Sequence, residues 1–160
     1  MPTSRLDALK QQIEAAFADA IKPEDDRIGY DPHDGESQEL AYAFKGKHWK
    51  DIPREDLQYN SSTFLSPEGF RYYLPAYLLA ALDDHGDLLP RSVYGLMPDP
   101  PDRPSTDGLS EWQRTRFEPL SPLQKHAVRA FLEYVRDKFS QNFPESHAPG
   151  AALERYWGRQ

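Results

Sequence analysis

No cysteine occurs among the 160 residues, so disulfides, thiolate nucleophiles and Cys-ligated zinc are excluded. Apolar residues are scarce. They make up 38% with the nine Tyr counted, and the same with the nine Gly in their place, against ~45–50% in an average globular chain. No apolar run is long enough to span a membrane: the longest uncharged one, residues 72–82, falls well short of the ~20 residues required. The opening stretch MPTSRLDALKQQIEAAF lacks the continuous apolar centre of a signal peptide. The expected location is the cytoplasm. Positive charge is the last deficit. Lys+Arg number 19 against 26 Asp+Glu, a net charge of −7. That argues against a nucleic-acid binder, which must release counterions from phosphates, and against docking on an anionic membrane.

What the chain does have is aromatic bulk and proline. Eight Phe, nine Tyr and three Trp can offset a lean core, each enclosing ~150–250 Å². Fifteen prolines exceed the average share of ~5% and point to short elements with fixed connections. The length suits one domain, taken as residues 1–160.

The spacing predicts helices. Ser4 caps a first one over residues 5–21, with Leu6, Leu9, Ile13, Phe17 and Ala20 on one face and Pro23 as its stop. A second covers residues 36–44 and ends at Gly46, followed by Trp49 as a packing anchor and a helical turn over residues 54–59. In FLSPEGFRYYLPAYLLAAL, Ser66 is an N-cap, Pro67 sits at N1, and Leu65 with Phe70 occupies the positions of a hydrophobic staple. This segment is apolar on all sides, the mark of a central helix, with Gly86 as the expected C′ residue.

Pro75 interrupts that pattern. It has no N–H for the Arg71 carbonyl, and its ring costs ~3 kcal/mol in a straight helix. Because the apolar spacing runs through it, the expectation is a kinked continuous helix or two helices meeting at residues 74–75. Residues 93–96 read as a short extended piece, and 97–108, rich in proline, as a mobile loop. A short helix with Trp112 and Phe117 as anchors follows. Then comes a capped helix over residues 122–141 with Leu123, Ala127, Phe131, Tyr134 and Val135 on its stripe. A last helix opens near Pro149 and carries Leu153, Tyr156 and Trp157. The fold class is therefore all-α: a single-domain bundle of four to six helices with proline-rich connections.

No catalytic constellation appears. G-x-S-x-G is absent, the five His form no metal-binding pair, and no glycine-rich phosphate loop occurs. Neither a metal site nor a cofactor is expected. Between Pro23 and Glu39, seven carboxylates accompany one base, Arg27. This reads as solvated loop first and as a surface for a basic partner second. Glu24, Asp25 and Asp26 are its candidate contacts, with Asp83, Asp84 and Asp87 of the DDHGD run as a second group. Arg71, Tyr72 and Tyr73 are the alternative, a set able to clamp an anionic or polar small ligand.

The blocks GKHWKDI, FLSPEGFRYYLPAYLLAAL, SPLQKHAVRAFLEYV and ALERYW resemble, in that order, an uncharacterised bacterial domain family. That family carries a G-K-x-W block and an F-L-S/T-P-E-x-F-R-Y-Y-L-P-A-Y-L block. The resemblance spans residues 36–157 and implies no catalytic residues. The chain thus reads as a non-catalytic, acidic protein-interaction protein, one concrete form being an immunity or antidote protein for a basic toxin. The alternative is a small-ligand binder, or an enzyme, with a pocket beside Arg71, Tyr72 and Pro75.

Overall fold

The computed structural model describes residues 3–98, 109–144 and 146–160. Most of the connection expected to be a mobile loop, residues 99–108, lies outside the described residues. Among the described residues there are eight α-helices: α1 (Arg5–Ala16), α2 (Gly35–Phe44), α3 (Arg54–Tyr59), α4 (Pro67–Asp83), α5 (Leu88–Tyr94), α6 (Glu111–Phe117), α7 (Pro122–Phe139) and α8 (Ala148–Arg155). No β-strand occurs among them, and the one extended pairing is an isolated antiparallel bridge between Gly29 and Leu65. The all-α expectation holds, with more helices than the four to six foreseen.

The additional helix is α5, which replaces the extended piece expected at residues 93–96. Its Pro90 stands in the first turn, where backbone N–H groups have no intrahelical partner to lose. Leu88, Leu89 and Val93 bury its inner side. Three other details differ from the sequence reading. Helix α1 stops at Ala16 rather than Ile21, because Leu9, Ile13 and Phe17 complete its buried face and Ile21 is 89% exposed. A helix gains most of its support from packing, so it ends where the packing ends. Gly86 is not a left-handed C′ residue: among the described glycines only Gly46 has positive φ, at 73°, and the turn after α4 is held by the Asp84 side chain instead. Leu123, expected on the α7 stripe, lies in an exposed first turn, and Ala127, Val128, Phe131, Leu132 and Val135 form the buried face.

The chain divides into two compact units, residues 19–95 and residues 1–18 with 96–160. In the second, α1 and α8 pack on α7. The α7 start is a capping box: the Gln124 N–H donates to Ser121 Oγ, and the Ser121 N–H donates to Gln124 Oε1. Helix α6 opens with the same device, from Ser110 and Gln113. Trp157 is fully enclosed and donates from Nε1 to the Leu96 carbonyl at 2.8 Å.

The unit of residues 19–95 is built on α4, against which α3, α5 and the single turn Trp49–Asp51 pack. Helix α4 runs unbroken through Pro75. Ser66 caps it by accepting from the Gly69 N–H at 2.9 Å. The buried residues Phe70, Tyr73, Leu74, Tyr77, Leu78, Ala81 and Leu82 keep the predicted spacing, and Tyr72 and Ala76 widen the buried face.

Candidate functional site

The acidic segment is stitched to the start of α4. The Tyr30 N–H donates to the Phe64 carbonyl at 2.9 Å, and the Ser66 N–H donates to the Ile28 carbonyl at 2.8 Å. The Ser66 hydroxyl also donates to the Arg27 carbonyl. Ile28 is completely buried, so the carboxylates of Glu24, Asp25 and Asp26, all exposed, stand on an anchored turn at Asp25–Arg27. Lys22 pairs with Asp25 at 3.4 Å and Arg27 with Glu68 at 3.5 Å, both at the surface, where such pairs contribute little.

The second acidic group spans the C-terminal end of α4, where Asp83 is the last residue, and the turn after it. Asp84 accepts from Gln58 Nε2 at 2.8 Å and from the Asp87 N–H at 3.2 Å. The Gln58 hydrogen bond is the main reason its carboxyl lies below the ordinary carboxylate range. Asp83 and Asp87 are exposed. The described residues contain no group of three or more His, Asp or Glu arranged to hold a metal ion.

Tyr72 and Tyr73 are buried in the packing of the fold, and Arg71 is half-buried. Tyr72 is 3% exposed and lies edge-on to Tyr73 and His48. Burial raises its phenol above the usual value, partly offset by a hydrogen bond with the Trp49 backbone. The Tyr73 hydroxyl reaches the carbonyls of Phe44 and Lys47. Arg71 Nε donates to the Pro67 carbonyl at 3.3 Å, and Glu68 pairs with Arg27 rather than with Arg71.

A concave surface lies elsewhere in this unit, between α2 and α3. One cavity of about 590 Å³ is lined by Glu39, Tyr42, Asp56, Tyr59 and Asn60 among others. A second, of about 300 Å³, shares Glu39, Tyr59 and Asn60 and extends to Glu36 and Phe64. The shared residues make them one groove. Tyr42 and Tyr59 are 75% and 77% exposed, unusual for aromatic rings on short helices. Lys45 Nζ stands 4.8 Å from the Tyr42 ring centroid, a cation–π contact. Asp56 pairs with Lys47 at 3.7 Å. Glu36 and Glu39 have no ion-pair partner among the described residues.

A third cavity, lined by Ser61, Ser62, Tyr77, Arg91 and Ser92, has about 10 Å³ for the centre of a water-sized sphere, room for one water.

A protein-family pattern described as a family of unknown function (DUF6714) matches residues 5–160. The chain belongs to that family. No curated protein and no solved structure matches it. In this DUF6714 chain the six acids singled out from sequence stand in two separate places, one before α2 and the other at the C-terminal end of α4 and the turn that follows it. The α2–α3 groove was not foreseen. A signal was present: Tyr42 falls off the Leu40–Phe44 side of α2, and Tyr59 off the Leu57 side of α3. An aromatic residue on the polar side of a short helix is the pattern that marks it.

The charge is divided unequally. Residues 19–95 hold 15 Asp+Glu against 8 Lys+Arg, and the remaining residues hold 11 of each, so the whole net −7 falls on the unit that carries the groove. No helix among the described residues is long and apolar enough to cross a membrane.

Proposed function

We propose that this DUF6714 protein is a non-catalytic interaction protein whose acidic unit binds a basic protein, an immunity or antidote role toward a basic toxin being one concrete form. The observation that carries this reading is the concentration of the net −7 in residues 19–95, with exposed carboxylates held on an anchored turn. Complementary charge speeds encounter and selects partners more than it adds raw affinity. Preset acids avoid the ordering cost that a flexible loop would incur on binding. Glu24, Asp25 and Asp26 form one contact group; Asp83, Asp84 and Asp87 form the other. A pocket at Arg71, Tyr72 and Tyr73 has less support, since the two tyrosines are buried and their hydroxyls meet backbone.

The test is capture from extract of the native host, with the parent protein beside a charge-reversed variant, Glu24→Lys with Asp25→Lys and Asp26→Lys. A basic protein retained by the parent at low salt, released at high salt and not retained by the variant is the expected result. Recovery of the same proteins by both, or of none by either, overturns the proposal.

A further inference from the structure

We infer that the groove between α2 and α3 is an arginine-recognition site, in which Tyr42 and Tyr59 stack the guanidinium of a basic partner and Glu36 and Glu39 accept its hydrogen bonds. The inference rests on the acidic-interaction reading and names the side chain that it would recognise.

Four observations converge on it. The groove is concave and open, with volumes of about 590 and 300 Å³ in its two parts, ample for one long side chain and its flanking backbone. Its two aromatic rings are three-quarters exposed and line the groove from different helices, Tyr42 from α2 and Tyr59 from α3. The Tyr42 ring already holds a cation, the Lys45 ammonium at 4.8 Å, so the position is electrostatically suited to positive charge. Glu36 and Glu39 lie one helical turn apart on α2 and keep their carboxylates free of ion pairs. They are therefore available as acceptors beside the rings.

Arginine fits these features better than lysine. Its guanidinium is planar, stacks on an aromatic face and binds a carboxylate through two parallel N–H groups. It is also less strongly hydrated than an ammonium, so moving it onto a ring costs less. A lysine would find the carboxylates and could sit over a ring, but has no planar group to stack on a tyrosine or to bind a carboxylate through two parallel N–H groups. The acids at residues 24–26 and 83–87 line neither part of this groove.

The experiment uses the full chain and two probes of equal charge, a ten-residue arginine peptide and a ten-residue lysine peptide, titrated at low salt by calorimetry. The expected result is tighter binding of the arginine peptide by about tenfold, the scale of one good cation–π contact with its bidentate pair. Tyr42→Ala and Tyr59→Ala should each remove most of that preference while leaving lysine-peptide binding unchanged. Glu39→Gln, which keeps the side-chain shape, should lower arginine-peptide affinity several-fold. In amide NMR spectra, arginine amide should shift signals of α2 and α3 ahead of those at 24–26. If both peptides bind equally, or the preference survives both tyrosine substitutions, the groove inference fails and the acidic-surface reading stands. If neither peptide binds at low salt, both fail.

Discussion

The Tyr73 hydroxyl lies 3.1 Å from the Phe44 carbonyl and 3.0 Å from the Lys47 carbonyl, joining the middle of α4 to the end of α2. It has one proton to share between two acceptors. Phe44 is the last residue of α2, where carbonyls lack intrahelical partners. The Phe44 carbonyl also accepts from the Lys47 N–H, so the Lys47 carbonyl depends more on the tyrosine. Tyr73→Phe keeps the ring against Phe44 and removes only the donor. The expected loss is about 1–2 kcal/mol in urea unfolding, with the slope unchanged. No loss would mean that both carbonyls find other donors.

Two buried phenols make stability sensitive to alkali. Burial pushes the Tyr73 and Tyr77 hydroxyls far above the usual 10.0. The unfolded chain ionises these groups near 10.0, whereas the folded chain keeps them neutral to higher pH. Their contribution is therefore complete below about pH 10 and is lost as pH rises toward the folded values. Urea midpoints measured from pH 8 upward should be level until about 10 and then fall. Tyr77→Phe should reduce that fall, at the cost of its hydrogen bond to the Asn60 carbonyl.

Gly69 separates two expectations of opposite sign. By helix propensity alone, Gly69→Ala should stabilise α4 by about 1 kcal/mol. A Cβ there, however, would lie 2.4 Å from the Ile28 carbonyl oxygen, a backbone atom that cannot swing aside. The expected outcome is destabilisation by about 2 kcal/mol or more in thermal melts, with loosening of residues 27–30 in hydrogen exchange. A stabilised variant would show that the acidic segment is not held as tightly as the Ser66 and Tyr30 bonds imply.

For Pro75→Ala the opposing effects nearly cancel. Alanine restores an N–H and removes the ring clash, worth ~3 kcal/mol in a helix interior. It also removes two buried methylenes, about 0.8 kcal/mol each, and loosens the unfolded chain by about 0.4–1 kcal/mol. Stability should stay within about 1 kcal/mol of the parent. A loss well beyond that would show that neighbouring side chains are fitted to the proline ring.

The features legible in the sequence were those that depend on near neighbours. Ser4, Ser66 and Ser121 cap the helices expected of them, because capping involves only the next three residues. The path of α4 through Pro75 was legible because apolar spacing continues on both sides. Gly86 and the end of α1 were not, since a side chain two residues away and the extent of the packed surface decide them. Nor was the groove: Tyr42 and Tyr59 are seventeen positions apart and meet one cavity only once α2 and α3 are placed. The anchoring of the acidic segment likewise needs Ser66, some forty residues from Glu24.

The distribution of indole rings offers an optical handle on this chain. Trp49 is the sole tryptophan in residues 19–95, whereas Trp112 and Trp157 belong to the other unit. Trp49 is 2% exposed and Trp157 fully enclosed, so both should emit at short wavelength when folded and shift to the red on opening. Subtracting the emission of a Trp49→Phe variant from that of the parent isolates the signal of the charged unit. Fluorescence recorded during denaturation would then tell whether the unit that carries all the net charge opens together with its neutral counterpart or ahead of it.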